Sequence, residues 1–386
     1  MQTKTVEPWP LTDEQRAIVA LCRDFARNEI RPRGREVDEA DVVTPVDIFR
    51  KAAEVGITDF MLPEEYGGGG FTDVFTQCLV QEELCWGDPG IGNLVCSNGF
   101  FSDPLMALGN DQQKKNWLTP LAGPDAPMTS LATTEPDSGS DAASIRTTAT
   151  RVEGGYRLNG QKAWISNAGA AAFYVVFAKT DSTQRSRGVT AFLVHAETAG
   201  LSVGEPMRKM GQRAIVCREV FLQDVFVPEQ DRLGEEGQGF YGLMETFDIS
   251  RVVLGAAAVG AARAAYEFAL DYAKTRKQFG KPIIEHQAVA FRLADMATRI
   301  QSARLLVHHA ARVIDGGGQA AGIAAMAKLT ASETSMFCTW AAVQTLGGWG
   351  YSREFPVEQW MRDAKLEELE EGTSDIMRLV ISRNLG

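Results

Sequence analysis

The sequence predicts a mainly α-helical protein with a β-domain inserted in its middle. Three textures in succession lead there. Apolar residues recur at helical spacing through residues 11–120. Short β-branched and aromatic runs, parted by turn signals, fill residues 125–230. Alanine-rich helical texture then returns after Gly237-Gln238-Gly239 and continues to about residue 383. Nothing in this order alternates strand with helix, as a parallel doubly wound sheet would. The expected division is an N-terminal helical domain over 1–124, a middle antiparallel β-domain over 125–233 and a C-terminal helical domain over 234–386.

In the first part, Thr12 is placed to cap a helix whose first turn carries Glu14 and Gln15. Ile18, Val19, Leu21, Cys22 and Phe25 follow on its apolar stripe. Pro32 and four consecutive glycines, residues 67–70, break the helical pattern, and the glycines are expected to form a flexible loop. Residues 81–85 and 94–108 resume helix. In the middle part Asn159-Gly160 separates two strand-like runs and predicts a hairpin. Residues 172–178, 189–194 and 219–227 are further strands. Connections this short favour an antiparallel meander. In the last part residues 250–274 form an alanine-rich helix, with Gly255 and Gly260 suited to close helix contact. Gly316-Gly317-Gly318 precedes a helix over 320–346, and a last helix starts near Pro356.

The chain has 386 residues, enough for several packed layers. Thirty-nine Lys and Arg against 50 Asp and Glu give a net charge of −11, which disfavours a nucleic-acid surface. No apolar run reaches the ~18 residues that span a bilayer, so no membrane insertion is expected. Residues 1–10 lack the apolar core of a leader peptide. Six scattered cysteines and four histidines show no ligand spacing, so no metal site is predicted. A reduced, cytoplasmic setting fits best.

Near the C-terminus Glu367, Glu368, Glu370 and Glu371 crowd five positions, followed by Gly372, Thr373 and Ser374. Such a run is either a solvated acidic helix face or holds an acid/base catalyst beside a cofactor.

Five motifs bear on that choice. They are LATTEPDSGSD at 131–141, KAWISN at 162–167, RKQFGK at 276–281, QTLGG at 344–348 and EGTS at 371–374, with PEEYGG at 63–68 before them. In order and spacing they resemble the acyl-CoA dehydrogenase family over nearly the whole chain. The resemblance implies a C-terminal four-helix bundle, FAD as cofactor and a homotetramer built as a dimer of dimers. It also implies dehydrogenation of an acyl-CoA thioester, with electrons passed to an electron-transferring flavoprotein.

Carried over residue by residue, the resemblance makes Glu371 the base that takes the α-proton. Some branches of the family place a carboxylate on the helix before Arg251. That position is Ser250 here, which cannot serve as one. Glu367, Glu368 and Glu370 are then left as a solvated face. Leu131, Thr133, Thr134, Trp164, Ile165 and Ser166 would contact the flavin. Arg276, Phe279, His286 and Gln287 would reach the FAD of the neighbouring subunit, and Gln344, Leu346, Gly347 and Gly348 would pass close to the dinucleotide. Thr373 and Asp375 complete the set, although many relatives carry Gln where Asp375 stands. Ser140, Asp248, Arg251 and Gly372 would contact the substrate. Val95, Cys96, Phe100 and Phe101 fall near the acyl pocket or belong to ordinary helix core.

The same fold hosts acyl-CoA oxidases and other flavoenzymes, and a catalytically silent assembly module is a further alternative. An intact Glu371, Arg276 and TEP stretch argue for the dehydrogenase.

Overall fold

The computed structural model describes residues 9–385. Most of the N-terminal stretch judged free of a leader core therefore lies outside the described residues. The chain opens with seven helices: α1 (Asp13–Phe25), α2 (Gly34–Ala40), α3 (Val46–Glu54), α4 (Val74–Gly87), α5 (Pro89–Val95), α6 (Gly99–Leu108) and α7 (Asp111–Leu118). The Thr12 cap is present as a full capping box with Gln15. The helix expected over 94–108 is two, because a turn at 96–98 parts α5 from α6. The glycine run is not a loose loop. Backbone N–H groups of Gly67 to Gly70 donate to carbonyls of residues 59–64. A Cβ on Gly68 would lie 2.4 Å from Leu62, so glycine is needed there for close approach.

Eight strands follow: β1 (Thr129–Ala132), β2 (Thr148–Val152), β3 (Gly155–Ser166), β4 (Phe173–Lys179), β5 (Val189–His195), β6 (Leu201–Val203), β7 (Cys217–Pro228) and β8 (Arg232–Leu233). They form one sheet in the order β6-β7-β3-β2-β4-β5-β8, with β1 on β4. Two expectations are corrected here. Asn159-Gly160 is not a hairpin turn. It lies inside β3, at a register shift against β7 between Leu158 and Gly160. Asn159 is held by Asp224 across the strands, and the reversal falls at Gly154 (φ +79°), just before β3. The special backbone of Asn-Gly thus serves a bulge. Nor is the sheet a pure antiparallel meander, because β1 runs parallel to β4 through Thr129↔Phe173 to Ala132↔Val176. The hairpin of β2 and β3 supplies the long connection that parallel pairing needs.

The chain closes with α8 (Gly239–Thr275), a short hairpin of β9 (Lys277–Gln278) and β10 (Lys281–Pro282), α9 (Gln287–Asp315), α10 (Ala321–Leu346), α11 (Val357–Glu367) and α12 (Ser374–Arg383). The helix expected from Pro356 onward is broken at 368–373, and the motif EGTS straddles that break. Helix α8 is the hub. Its alanines and Val252 and Val259 share one core with Met296, Cys338 and Trp360. Gly260 lies against the α4 backbone, where a Cβ would meet the Glu82 carbonyl at 2.4 Å. By length and composition α8 could cross a membrane, but 72% of its apolar window is buried inside the protein.

Candidate active site

Helix α11 ends at Glu367, and the chain turns into α12 through a left-handed stretch. Glu371 has φ +47° and Gly372 has φ +106°. A side chain at Gly372 would be strained, and its Cβ would lie 2.6 Å from Met377. Thr373 caps α12 by accepting from the Ile376 N–H at 3.3 Å. Three side chains from the bundle hold the turn. Lys328 of α10 is 1% exposed, and its Nζ donates to the carbonyls of Glu370 and Gly372 at 2.9 Å each. Arg251 of α8 donates through Nε to the Glu371 carbonyl at 3.1 Å and pairs with Asp248 at 3.3 Å. The Ser250 hydroxyl donates to the Glu371 carboxylate. Burial pushes the Glu371 carboxyl up to about 7, against the Ser250 hydrogen bond.

The neighbouring glutamates are not a solvated face. Glu367 is 1% exposed, and its Oε1 accepts from Gln212 Nε2 at 2.9 Å. It contacts the Glu370 carboxyl three residues on. Glu367 Oε2 and Glu370 Oε1 are buried and meet no protein donor. Burial, and for Glu367 the Glu370 charge, pushes both carboxyls up. The run turns inward because its last members close over Lys328. Glu368 is partly buried and pairs with Lys365 at 2.6 Å.

Glu371 and Ser250 open into a cavity walled by Phe60, Met61, Phe100 and Val253, with Gln81 and Asp103 also on its lining. Cys96 and Phe100 line it too. Val95 and Phe101 are fully buried elsewhere, in helix core.

A second group lies on the sheet. The carbonyl of Thr133 accepts from Lys162 Nζ at 3.0 Å, and that of Thr134 accepts from the Ala163 N–H. Glu135 is 2.8 Å from Lys162 and also takes the Thr147 N–H, which ties the TEP stretch to β3. A register shift between Lys162 and Ile165 puts Trp164 at φ +60° and leaves its indole 60% exposed. Ser166 lies beside it on β3, and Leu131 lies on β1. Ile165 turns its side chain into the sheet core, so only its backbone remains for a ligand. Thr133 Oγ1 is buried without a partner. An exposed indole beside an orphaned hydroxyl fits a planar cofactor with hydrogen-bonding edges.

The remaining predicted cofactor residues stand elsewhere. Arg276, Phe279, His286, Gln344, Leu346, Gly347 and Gly348 line one open cleft at the end of the bundle. Phe279 is 93% exposed there, and no atom lies within 4 Å of a Cβ on Gly347 or Gly348. Gln287 begins α9 beside this cleft without lining it. Asp375 is 97% exposed and joins neither cavity. Ser140 is exposed on the loop after β1. Within one chain the cleft and the Glu371 cavity share no lining residue.

Sequence reasoning missed Lys328, the Glu135–Lys162 pair and the hold of Arg251 on the Glu371 carbonyl. A lone lysine among Ala324, Ala325, Ala327 and Ala331 was the available signal.

Comparison with known proteins fits this arrangement. The chain matches the acyl-CoA dehydrogenase N-terminal, middle and C-terminal domains over residues 12–124, 130–225 and 237–386. It is 40% identical to an acyl-CoA dehydrogenase of Bacillus subtilis over 97% of this chain and 98% of that protein. Among solved structures, butyryl-CoA dehydrogenase from Megasphaera elsdenii superposes with a TM-score of 0.94 at 38% identity, covering 98% of this chain and 99% of that one. A chain in the structure of the electron transferring flavoprotein of Acidaminococcus fermentans gives the same TM-score at 39% identity, covering 98% and 99%. The chain is thus a FAD-dependent oxidoreductase of the acyl-CoA dehydrogenase family.

Proposed function

We propose that the protein converts an acyl-CoA thioester to its trans-2-enoyl-CoA, with Glu371 as the base. One observation carries the reading: a carboxyl held at about 7 opens into a mostly apolar cavity. A base is most useful when its pKa lies near the working pH. The Glu371 N–H has no acceptor among the described residues, so it is free to donate to the thioester carbonyl oxygen. That contact stabilises the negative charge formed as the α-proton leaves. FAD, when bound, accepts the β-hydride. Thr133, Thr134, Trp164 and Ser166 would hold its ring system, with Leu131 and the Ile165 backbone beside it. Thr373 would add a contact from the α12 cap, Gly372 a contact to the substrate and Asp248 a contact to its CoA portion. Ser140, on its exposed loop, would meet the CoA portion.

Arg276, Phe279, His286, Gln287, Gln344, Leu346, Gly347 and Gly348 would serve the FAD of a neighbouring subunit. Their distance from the Glu371 cavity within one chain supports a homo-oligomer, a dimer of dimers. Asp375 is placed less well, since it points to solvent. An electron-transferring flavoprotein is the expected acceptor. All six cysteines are free, which suits a reduced cytoplasmic setting.

The test is Glu371→Gln. It should keep bound FAD and lose flavin bleaching by acyl-CoA under anaerobic conditions, by on the order of 10³-fold or more. Unchanged bleaching would overturn the assignment, and immediate peroxide formation by the native enzyme in air would favour an oxidase.

A further inference from the structure

The walls of the Glu371 cavity are not uniformly apolar. Beside Phe60, Met61 and Phe100, the lining includes Gln77, Gln81 and Asp103. Gln77 and Gln81 are 9% and 3% exposed. A carboxamide can face a ligand with either its oxygen or its nitrogen, and here a relay settles which. Gln212 Nε2 donates to the Asp363 carbonyl at 3.5 Å, an atom that can only accept. Gln212 Oε1 therefore takes Asn93 Nδ2 at 3.0 Å. Asn93 Oδ1 in turn takes Gln81 Nε2 at 2.5 Å. The oxygen of Gln81 is left over, and no donor reaches it among the described residues. Gln77 is fixed the same way. Its Nε2 donates to the Thr72 carbonyl at 3.4 Å, which leaves Oε1 without a donor.

Asp103 adds a third acceptor. No arginine or lysine lines the cavity among the described residues. Its carboxyl is pushed up to about 7 by burial, with the Ser102 hydroxyl acting the other way. Gln77 and Gln81 thus present free acceptor oxygens, and Asp103 in its ionised form a third acceptor, in the cavity that holds the base. A plain alkyl chain would strip water from all three and return nothing. A chain ending in a carboxylate would meet the two carboxamide oxygens and, above about pH 7, the like charge of Asp103.

We propose that the acyl group this cavity accepts carries a hydrogen-bond donor, a hydroxyl or an amino group, which Gln77, Gln81 and Asp103 receive. This rests on the dehydrogenase reading of the same site. The three side chains are specificity residues and take no part in proton removal.

The test uses the FAD-loaded enzyme and anaerobic flavin bleaching. The probes are butyryl- and hexanoyl-CoA, their terminal-hydroxyl counterparts, and succinyl- and adipyl-CoA. The rate of flavin reduction over Kd should favour the hydroxyl form over the alkyl form by about tenfold or more at one chain length at least, with the carboxylates poorest. In Asp103→Leu and Gln81→Met the hydroxyl-to-alkyl ratio should fall about tenfold. If one variant fails to fold or take up FAD, the other carries the test. Alkyl preference at every length would overturn the proposal while leaving the dehydrogenase reading intact. A hydroxyl preference that neither variant moves would overturn the assignment to these residues. Failure of every acyl-CoA to bleach the flavin would overturn both.

Discussion

The Ser250 hydroxyl donates a hydrogen bond to the Glu371 carboxylate across 121 positions of sequence. Helix α8 thereby reaches the proposed base in the break before α12. The bond favours the charged form, whereas burial disfavours it, and the balance leaves the carboxyl at about 7. The base must be ionised to act, so flavin reduction should rise with pH through about 7. In Ser250→Ala the ionised form loses its donor, and the midpoint should move up by roughly half to one pH unit. Rates of anaerobic bleaching from pH 6 to 9 read this directly. A profile that stays put or moves down would remove Ser250 from the account.

Lys328 acts on the backbone of the same turn. Its ammonium bridges the Glu370 and Gly372 carbonyls, and its charge also favours ionised Glu371. Lys328→Met should free a left-handed turn that carries the base. Displacing a catalytic group by about 1 Å costs on the order of 10²-fold. We expect such a loss in the reduction rate, with FAD still bound and the pH midpoint raised. Loss of FAD together with activity would instead make Lys328 a general scaffold residue.

The order of helices, sheet and helices was legible because periodicity reports which face of an element is buried, and these elements are long. What escaped were features decided across the fold. Asn159-Gly160 has the local chemistry of a turn, but Asp224, which holds Asn159, lies elsewhere in the chain and makes it a bulge. Glu367 and Glu370 look like solvated helix because sequence shows charge and not the direction of a loop. Glu371 was singled out by the resemblance and by Gly372 after it, whose φ of +106° a left-handed turn favours in glycine. Lys328, Arg251 and Gln212 could be placed only once α8, α10 and the loop after β6 were brought to that turn.

The buried pair of Glu367 and Glu370 makes its own prediction. Both carboxyls are raised in the folded state, so they favour folding while protonated. That contribution is full below the ordinary carboxyl range and is lost as pH rises toward the folded value. Glu367→Gln keeps the acceptor and removes the second acid. It should therefore raise Tm relative to the native protein, and more at pH 8 than at pH 6. Calorimetry at the two pH values checks the sign, and a larger gain at pH 6 would show that Glu367 is not raised in the folded state.

Glu82 should show the opposite dependence. It lies on α4, 6% exposed, and takes both Arg304 Nε at 2.9 Å and Arg304 Nη2 at 2.8 Å from α9, with Arg263 of α8 at 2.7 Å. Burial would raise this carboxyl, but Arg304 and Arg263 outweigh it and hold it down at about 2. A lowered carboxyl stabilises the fold above the unfolded value and loses that contribution as pH falls toward about 2. Glu82→Gln removes the charge that Arg304 Nε and Nη2 meet on α4, while Arg263 keeps its pair with Glu83 at 2.7 Å, so the cost should be about 1.5–3 kcal/mol. The deficit joins α4 to two bundle helices, so it should appear as a fall in Tm of the whole transition. It should be largest near pH 7 and shrink as both proteins are taken below pH 4. A deficit independent of pH would mean that Glu82 stabilises by packing and not by charge, since only the ionised form discriminates between the two side chains.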